Sequence, residues 1–479
     1  MQEVLQRPAA IVAMVVGVLF AGAIAVVQPL LGLGLVLLLL LATLIRRAPV
    51  RRVAQVGIIL TAVAAIAGPN VAVPGLPWLF AFRILIVVLG LGLVGFLLMD
   101  GRLEVPGGLA RPAALLIALF VWSALSIGWA NDPVAALRWT VFLGMMGGLA
   151  IGIGLACSTT GRARRLLIVL AATFAVATLI ALAEIKTGFR LPTSALLGRN
   201  RDVAFGATSL FGNQNNFATY LTLTLPYFLT MPVVFRDVRL KTLGCIGAAA
   251  TLIALLFTGS RSNLLATGLI LLGLIVVLGI DRRSRVQLVA AGVVGALAVL
   301  LVVPSILGSG IVPLPQAAVT KFDFGLLASQ RQAGIGSGAV RGSLLTDGLD
   351  LVKETNGLGV GAGNAEDQVR ALADFPGAEN LHNWWLEVLV DLGVVGFALY
   401  LAFFLTLLRG QLRASRTARD PLIRWLGLSG GLALIGFIAG SLGPSSVIHF
   451  GPMWITFGLG LLTLGLAGRE AAQRAGRAA

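Results

Sequence analysis

The sequence is poor in charge and nearly empty of cysteine and histidine. Asp, Glu, Lys and Arg make up 12% of its 479 residues, against about 25% in a soluble domain. A water-facing surface cannot be built from so few charges, which excludes an ordinary soluble globular protein. The two cysteines, Cys157 and Cys245, exclude a disulfide framework and a multi-cysteine metal site, and both read as lying near the cytoplasmic side. No internal repeat of matching halves and no low-complexity tract is present, and the outer side carries no strong metal-ligand motif. Asp347 and Asp350 lie three apart, the spacing of a solvated helix face. No cofactor is expected.

What is present is apolar sequence, 58% of the chain. A spanning helix needs about 20 mainly apolar residues, occasionally about 17. Runs of that kind fall near 9–27, 30–45, 53–67, 79–99, 113–130, 134–156, 165–185 and 215–235, then 241–258, 262–280, 287–307, 383–408, 423–442 and 452–468, fourteen in all. The second and third are short enough for a re-entrant or interfacial alternative. The expected fold is therefore all-α, a polytopic transmembrane helical bundle of about 12–14 spans. Ala21-Gly22-Ala23 faintly resembles a signal-peptidase site, but the weakly basic start and the span that follows at once read as a retained helix.

A net charge of +16 would suggest nucleic acid in a soluble protein. Here its distribution gives another account, and no nucleic-acid partner is expected. Arg46, Arg47, Arg51 and Arg52 fall in one loop, Arg162, Arg164 and Arg165 in another, and Arg236, Arg239 and Lys241 in a third. Arg282, Arg283 and Arg285 follow, then Arg409, Arg413, Arg416 and Arg419, and a tail with Arg469, Arg474 and Arg477. Every second loop is basic, as the positive-inside rule requires of a chain with both termini in the cytoplasm.

Two outer loops are long, about 186–214 and 308–381. The expected division is an N-terminal transmembrane bundle 1–307, a large extracytoplasmic loop 308–381 and C-terminal transmembrane helices 382–479. The large loop contains a helical pattern, Leu344, Leu345, Leu349 and Val352, beginning near Ser343 and ending at Asn356-Gly357, a helix stop. Substrate recognition should concentrate on these two loops.

Ionisable residues collect at the outer membrane edge: Arg83, Arg138, Glu184, Arg261, His382, Glu387 and Asp391. An ionisable group inside a membrane costs about 2.5–3.5 kcal/mol on insertion scales and reads first as functional. For Arg83 and Arg138 two readings stand level: substrate binding, or snorkelling and structural pairing with Glu387 or Asp391, which lie i,i+4 on one helix face. Arg261 opens a helix in Thr258-Gly259-Ser260-Arg261-Ser262-Asn263. Free backbone N–H groups and the positive dipole end make that a ready anion site, with an interfacial anchor as the alternative. His382 stands where the long loop re-enters the membrane, after Asn380 as N-cap. A helix N-terminus disfavours the imidazolium, so a neutral, basic imidazole is reasonable there, though a lone histidine is more often structural. His449, at a similar edge, reads as structural.

Several short motifs then line up. Leu381-His382-Asn383-Trp384-Trp385-Leu386-Glu387 leads on to Gly393-Val394-Val395-Gly396. Arg261 is followed by Leu265; Phe211-Gly212-Asn213-Gln214-Asn215-Asn216-Phe217-Ala218 opens a span; Arg341 precedes Gly357-Leu358-Gly359-Val360-Gly361-Ala362-Gly363. Trp122-Ser123-Ala124-Leu125-Ser126-Ile127-Gly128-Trp129-Ala130 precedes Asp132-Pro133. Together they resemble the O-antigen ligase and Wzy polymerase superfamily over about residues 80–408. The double tryptophan after His382-Asn383 is similar to cell-wall polymerases of the teichuronic-acid type.

The resemblance implies a bacterial inner-membrane glycosyltransferase whose active site faces the periplasm or cell exterior. Its donor is a glycan linked to undecaprenyl diphosphate, and its acceptor a sugar hydroxyl on a glycan or lipid-linked partner. Arg261 and Arg341 would hold the anionic leaving group, and His382 would take the acceptor proton. Arg83, Arg138, Asn215, Asn383 and Glu387 are the expected substrate-binding residues. Arginines would do the work of a divalent cation, and an in-line attack opposite the diphosphate would invert the anomeric centre. The rival is a lipid-linked oligosaccharide flippase or other multispan transporter, which should show repeat symmetry, broken helices and charges near the midplane.

Overall fold

A computed structural model describes residues 50–100, 105–198, 206–277, 329, 333, 337–372, 381–444 and 447–478. The expected spans at 9–27, 30–45 and 287–307 lie outside these. Among the described residues the fold is helical as expected, with one small antiparallel hairpin, β1 (Ala72–Val73) and β2 (Leu76–Phe80). The helices are α1 (Val50–Ala67), α2 (Ala81–Asp100), α3 (Gly107–Ser126), α4 (Pro133–Ala156) and α5 (Thr160–Thr187). Next come α6 (Gln214–Leu229), its short extension α7 (Met231–Val234), α8 (Val238–Leu256) and α9 (Arg261–Val277). Then α10 (Ser337–Glu354), α11 (Ala365–Leu372), α12 (Trp384–Thr417), α13 (Pro421–Gly440) and α14 (Gly451–Ala478) complete the set.

Nine helical stretches among the described residues are long and apolar enough to cross a membrane, and Ala81–Val94 and Arg261–Val277 are shorter apolar helices. The chain is a multi-pass membrane protein. Their boundaries follow from capping. Asp132, Thr159, Asn213, Asp237, Asn383 and Asp420 each accept a backbone N–H of the helix that follows, satisfying donors the first turn leaves open. Gly188, at φ +76°, stops α5.

Burial orders the bundle. In α13 and α14, 83% of the apolar window is covered, against 28% in α5, so α13 and α14 form the centre and α5 faces outward. Small residues let the central helices approach: a Cβ on Gly427 would stand 2.7 Å from the Gln411 carbonyl of α12, and one on Gly431 would stand 2.7 Å from the Leu412 side chain.

The ends separate by charge. At one end Arg469 donates to the Ser158 carbonyl at 2.6 Å and Arg474 to that of Thr417 at 3.3 Å, beside the basic turns of the sequence. At the other end lie the C-termini of α1, α3, α5, α8 and α13 and the N-termini of α2, α4, α6, α9, α12 and α14. Cross-links there join distant segments: Asn70 donates to Leu210 O at 2.7 Å, and the Trp384 N–H to Ser441 O at 3.3 Å.

Candidate functional site

The site is built at that second end, and Glu184 anchors one wall. This buried carboxylate closes α5 and accepts the Thr208 N–H at 2.7 Å, the Thr208 hydroxyl at 3.0 Å and the Ser209 N–H at 2.9 Å. Arg190 pairs with it at 3.3 Å and donates to Gly206 O at 2.7 Å. Four donors on one buried carboxylate offset its desolvation. The loop so held docks on the end of α8, where the Ala207 N–H meets Phe257 O at 3.2 Å, and delivers Asn213 and Asn215 to the start of α6.

Arg261 stands, as expected, at the first residue of α9, after a turn in which Gly259 takes φ +65°. Asn263 fixes that turn. Its amide nitrogen donates to the Ser260 hydroxyl at 3.0 Å and to the Thr219 hydroxyl at 3.2 Å, and its amide oxygen accepts from Thr222 at 2.9 Å. Thr219 also donates to Gly440 O at 3.2 Å, which ties α6, α9 and α13 together. Just beyond, Gly443 permits a close meeting: a Cβ there would fall 2.6 Å from the Ser262 hydroxyl and 3.7 Å from Asn215 Cβ. Asn215 and Ser262, neighbour of Arg261, are thus brought to one place.

Arg341 joins them from α10. At about 100° per residue it shares a face with Leu344, Gly348 and Leu351. Leu344 and Leu351 are buried, and a Cβ on Gly348 would touch Leu386 and Val390 of α12. The face carrying Arg341 therefore packs inward. Burial, and then the charge of Arg261, push the Arg341 pKa below its ordinary value. An anion placed near both guanidinium groups would relieve that repulsion. The helix holding Arg341 starts at Ser337, six residues before the sequence pattern suggests, because the apolar signal begins only where the buried face does.

His382 also differs from its expected setting. It lies before α12, whose N-cap is Asn383: the Asn383 side chain accepts the Leu386 N–H at 3.3 Å. Asn380, expected to cap the helix, lies outside the described residues. His382 takes φ +47°, a conformation that costs a non-glycine residue about 1–3 kcal/mol and clusters at functional sites. Glu387 is buried one turn into α12. Through Trp384, bonded to Ser441, His382 is held near the Gly440–Gly443 segment that packs on Ser262 and Asn263.

A second assembly supports α12. The helix breaks at Gly393, at φ +67°, and the glycine run 357–363 fills the break. The Val360 N–H donates to Val390 O at 2.8 Å, the Gly361 N–H to Asp391 O at 3.0 Å and the Val394 N–H to Gly357 O at 2.8 Å. The Asp391 carboxylate accepts the Ala365 N–H at 2.8 Å, capping α11. The same loop reaches the α3–α4 turn: the Ala362 N–H donates to Ser126 Oγ at 3.0 Å, and Asn364 exchanges bonds with the backbone of Asp132 at 2.7 and 3.2 Å. The Trp122 indole donates to Leu392 O at 2.8 Å.

Arg83 and Arg138 stand apart from this cluster. Arg83 donates to Trp78 O at 2.7 Å and lies over the rings of Phe80 and Phe142 at 4.9 and 5.1 Å, whereas Asp391 is occupied with α11. Arg138 is exposed on α4. His449 sits edge-on to Phe142 with ring centroids 4.1 Å apart. The sequence reading passed over Asn263, Thr219 and Thr222, whose roles depend on helix pairing, and Asn216, whose Oδ1 is buried with no hydrogen-bond partner among the described residues. The Asn-rich entry to α6 was their one local signal.

Comparison with known proteins agrees with the resemblance read from the sequence. Residues 246–401 match the protein family described as O-Antigen ligase. That stretch includes Arg261, Arg341, the glycine run and the His382-to-Gly393 signature, whereas Arg83, Arg138 and Asn215 precede it. The chain is also 26% identical over 403 residues to the Teichuronic acid biosynthesis protein TuaE of Bacillus subtilis (strain 168), an alignment covering 80% of this chain and 78% of that protein.

Proposed function

We propose that this O-antigen ligase-type membrane protein is a glycosyltransferase of surface-polysaccharide biosynthesis, moving a glycan from an undecaprenyl-diphosphate-linked donor to an acceptor sugar hydroxyl. The observation that carries the reading is that Arg341, on the inward face of α10, lies within reach of the charge of Arg261 at the start of α9. Two cations at the positive end of a helix dipole suit a diphosphate, and they stabilise it as it departs. The acceptor oxygen bonds to the anomeric carbon, the bond from that carbon to the diphosphate oxygen breaks, and the acceptor proton passes to His382. Attack opposite the leaving group inverts the anomeric centre. The similarity to a protein named for teichuronic acid biosynthesis supports a cell-wall polymer as product. Asn383, Asn215 and Glu387 line or support the acceptor side, and Arg83 and Arg138 serve a more distant stretch of glycan. The active-site end faces the periplasm or cell exterior of a bacterial plasma membrane, because the opposite end carries the basic turns.

A broken helix with an acidic residue beside it is a feature expected of the transporter reading. Here the break at Gly393 is closed by the chain's own glycine loop and Asp391 by α11, which favours a fixed scaffold. Purified protein in vesicles separates the two: a glycosyltransferase releases polyprenyl diphosphate and lengthens the acceptor glycan. Movement of donor across the bilayer with no new glycosidic bond would defeat the reading.

A further inference from the structure

The opposite end of the bundle holds a cavity of about 290 Å³ between α3, α12 and α14, lined by Gly108, Arg111, Pro112, Thr406, Arg409, Gly410, Arg413 and Leu464. Three of its lining residues are arginines and none is acidic. Arg409 and Arg413 are i,i+4 on α12, so they lie on one face, with Thr406 one turn before Arg409. Among the described residues none of the three guanidinium groups has a hydrogen-bond or ion-pair partner, and Arg413 accepts the Thr417 hydroxyl only through its backbone carbonyl, at 3.0 Å. The three guanidinium groups are exposed around one hollow with no acidic lining residue between them, so an anion bound there lowers their mutual repulsion.

Depth identifies what kind of anion. Arg409 is the first charged residue after the uninterrupted uncharged run 392–408 of α12, and it lies at the basic end, where the hydrocarbon gives way to head groups. The arginines therefore sit at head-group level, while Pro112 and Leu464 supply apolar wall on the membrane side. Gly108 and Gly410 keep the helices close at this level: a Cβ on Gly108 would strike the Leu464 carbonyl, and one on Gly410 would stand 2.8 Å from the Leu464 side chain.

We infer that this cavity binds the phosphate head group of an anionic phospholipid from the leaflet at the basic end, clamping α3, α12 and α14 together. Basic pockets between spanning helices take such head groups, at a gain equivalent to about five-fold in affinity per arginine near the surface. The site lies at the far end of α12 from His382, so its failure would leave the glycosyltransferase reading untouched.

Native mass spectrometry of the full chain in detergent tests this with dioleoylphosphatidylglycerol and dioleoylphosphatidylcholine as probes. Phosphatidylglycerol should be retained and phosphatidylcholine stripped. The variant R111Q/R409Q/R413Q should bind phosphatidylglycerol at least about ten-fold more weakly, while R164Q/R165Q/R239Q, which removes equal charge at the same end outside the cavity, should match the parent. If the triple variant does not extract folded, Arg409→Gln alone should lose about five-fold. Equal retention of both lipids, unchanged binding in the folded variant, or full displacement of the lipid by millimolar inorganic phosphate would each overturn the proposal.

Discussion

Glu184 Oε2 accepts the backbone N–H of Thr208 at 2.7 Å across 24 residues of chain. That bond decides where the long loop before α6 can go, since the same carboxylate takes Ser209 and Arg190. Glu184→Ala should leave several buried donors and the Arg190 charge without their acceptor, a loss of about 3–5 kcal/mol for a broken buried pair. Limited proteolysis should then cut between residues 189 and 213, and the thermal midpoint in detergent should fall. An unchanged digestion pattern would show that the loop is held by something else.

The break in α12 makes a second prediction. A Cβ on Gly393 would strike the Gly357 and Leu358 carbonyls, and one on Gly359 would stand 2.8 Å from the Asp391 and Val390 carbonyls. Both glycines hold positive φ, +67° and +81°. Gly393→Ala and Gly359→Ala should each destabilise the folded protein by about 1–3 kcal/mol, visible as lost monodisperse protein in fluorescence-detected size exclusion. Gly342→Ala, which meets open space on α10, should behave as the parent.

In the proposed function the positive charge at the donor site is assigned to Arg261 and Arg341. Glycan transfer from a polyprenyl-diphosphate donor should therefore survive exhaustive EDTA. Activity abolished by EDTA and restored by magnesium or manganese would assign the diphosphate to a metal ion.

The separation of charge between the two ends predicts which side each end faces. In a Cys245→Ser background, where Cys157 is buried, cysteines at the exposed positions Lys353 and Leu197 should react with an impermeant maleimide on intact cells. A cysteine at exposed Arg236 should react only after permeabilisation. The reverse pattern would turn the site toward the cytoplasm.

The fold class and the start of α9 were legible because apolar length and a Gly-Ser-Arg-Ser turn are local signals. Arg341 was visible only through its place before the glycine run; nothing in its own neighbourhood announces a partner 80 residues earlier. The cap of α12 is Asn383, three residues after the expected Asn380, because both are good cappers and nothing local in the sequence selects between them. Pairing of Arg83 with Asp391 looked reasonable from charge alone. It gave way to backbone chemistry: Asp391 is spent on α11 and Arg83 on the Trp78 carbonyl.

The central claim is that Arg261 and Arg341 hold the leaving diphosphate while His382 accepts the proton. It is tested most directly by parallel measurement of donor binding and single-turnover transfer in purified variants that keep the parent elution profile. His382→Ala should bind donor normally and transfer about 10² or more times slowly, the scale of general-base catalysis. Arg261→Ala and Arg341→Ala should lose both binding and turnover, with Arg261→Lys recovering only part, since an ammonium lacks the guanidinium fork that grips a phosphate. A folded His382→Ala protein with parental turnover, or an Arg341→Ala protein with parental donor affinity, would contradict the account.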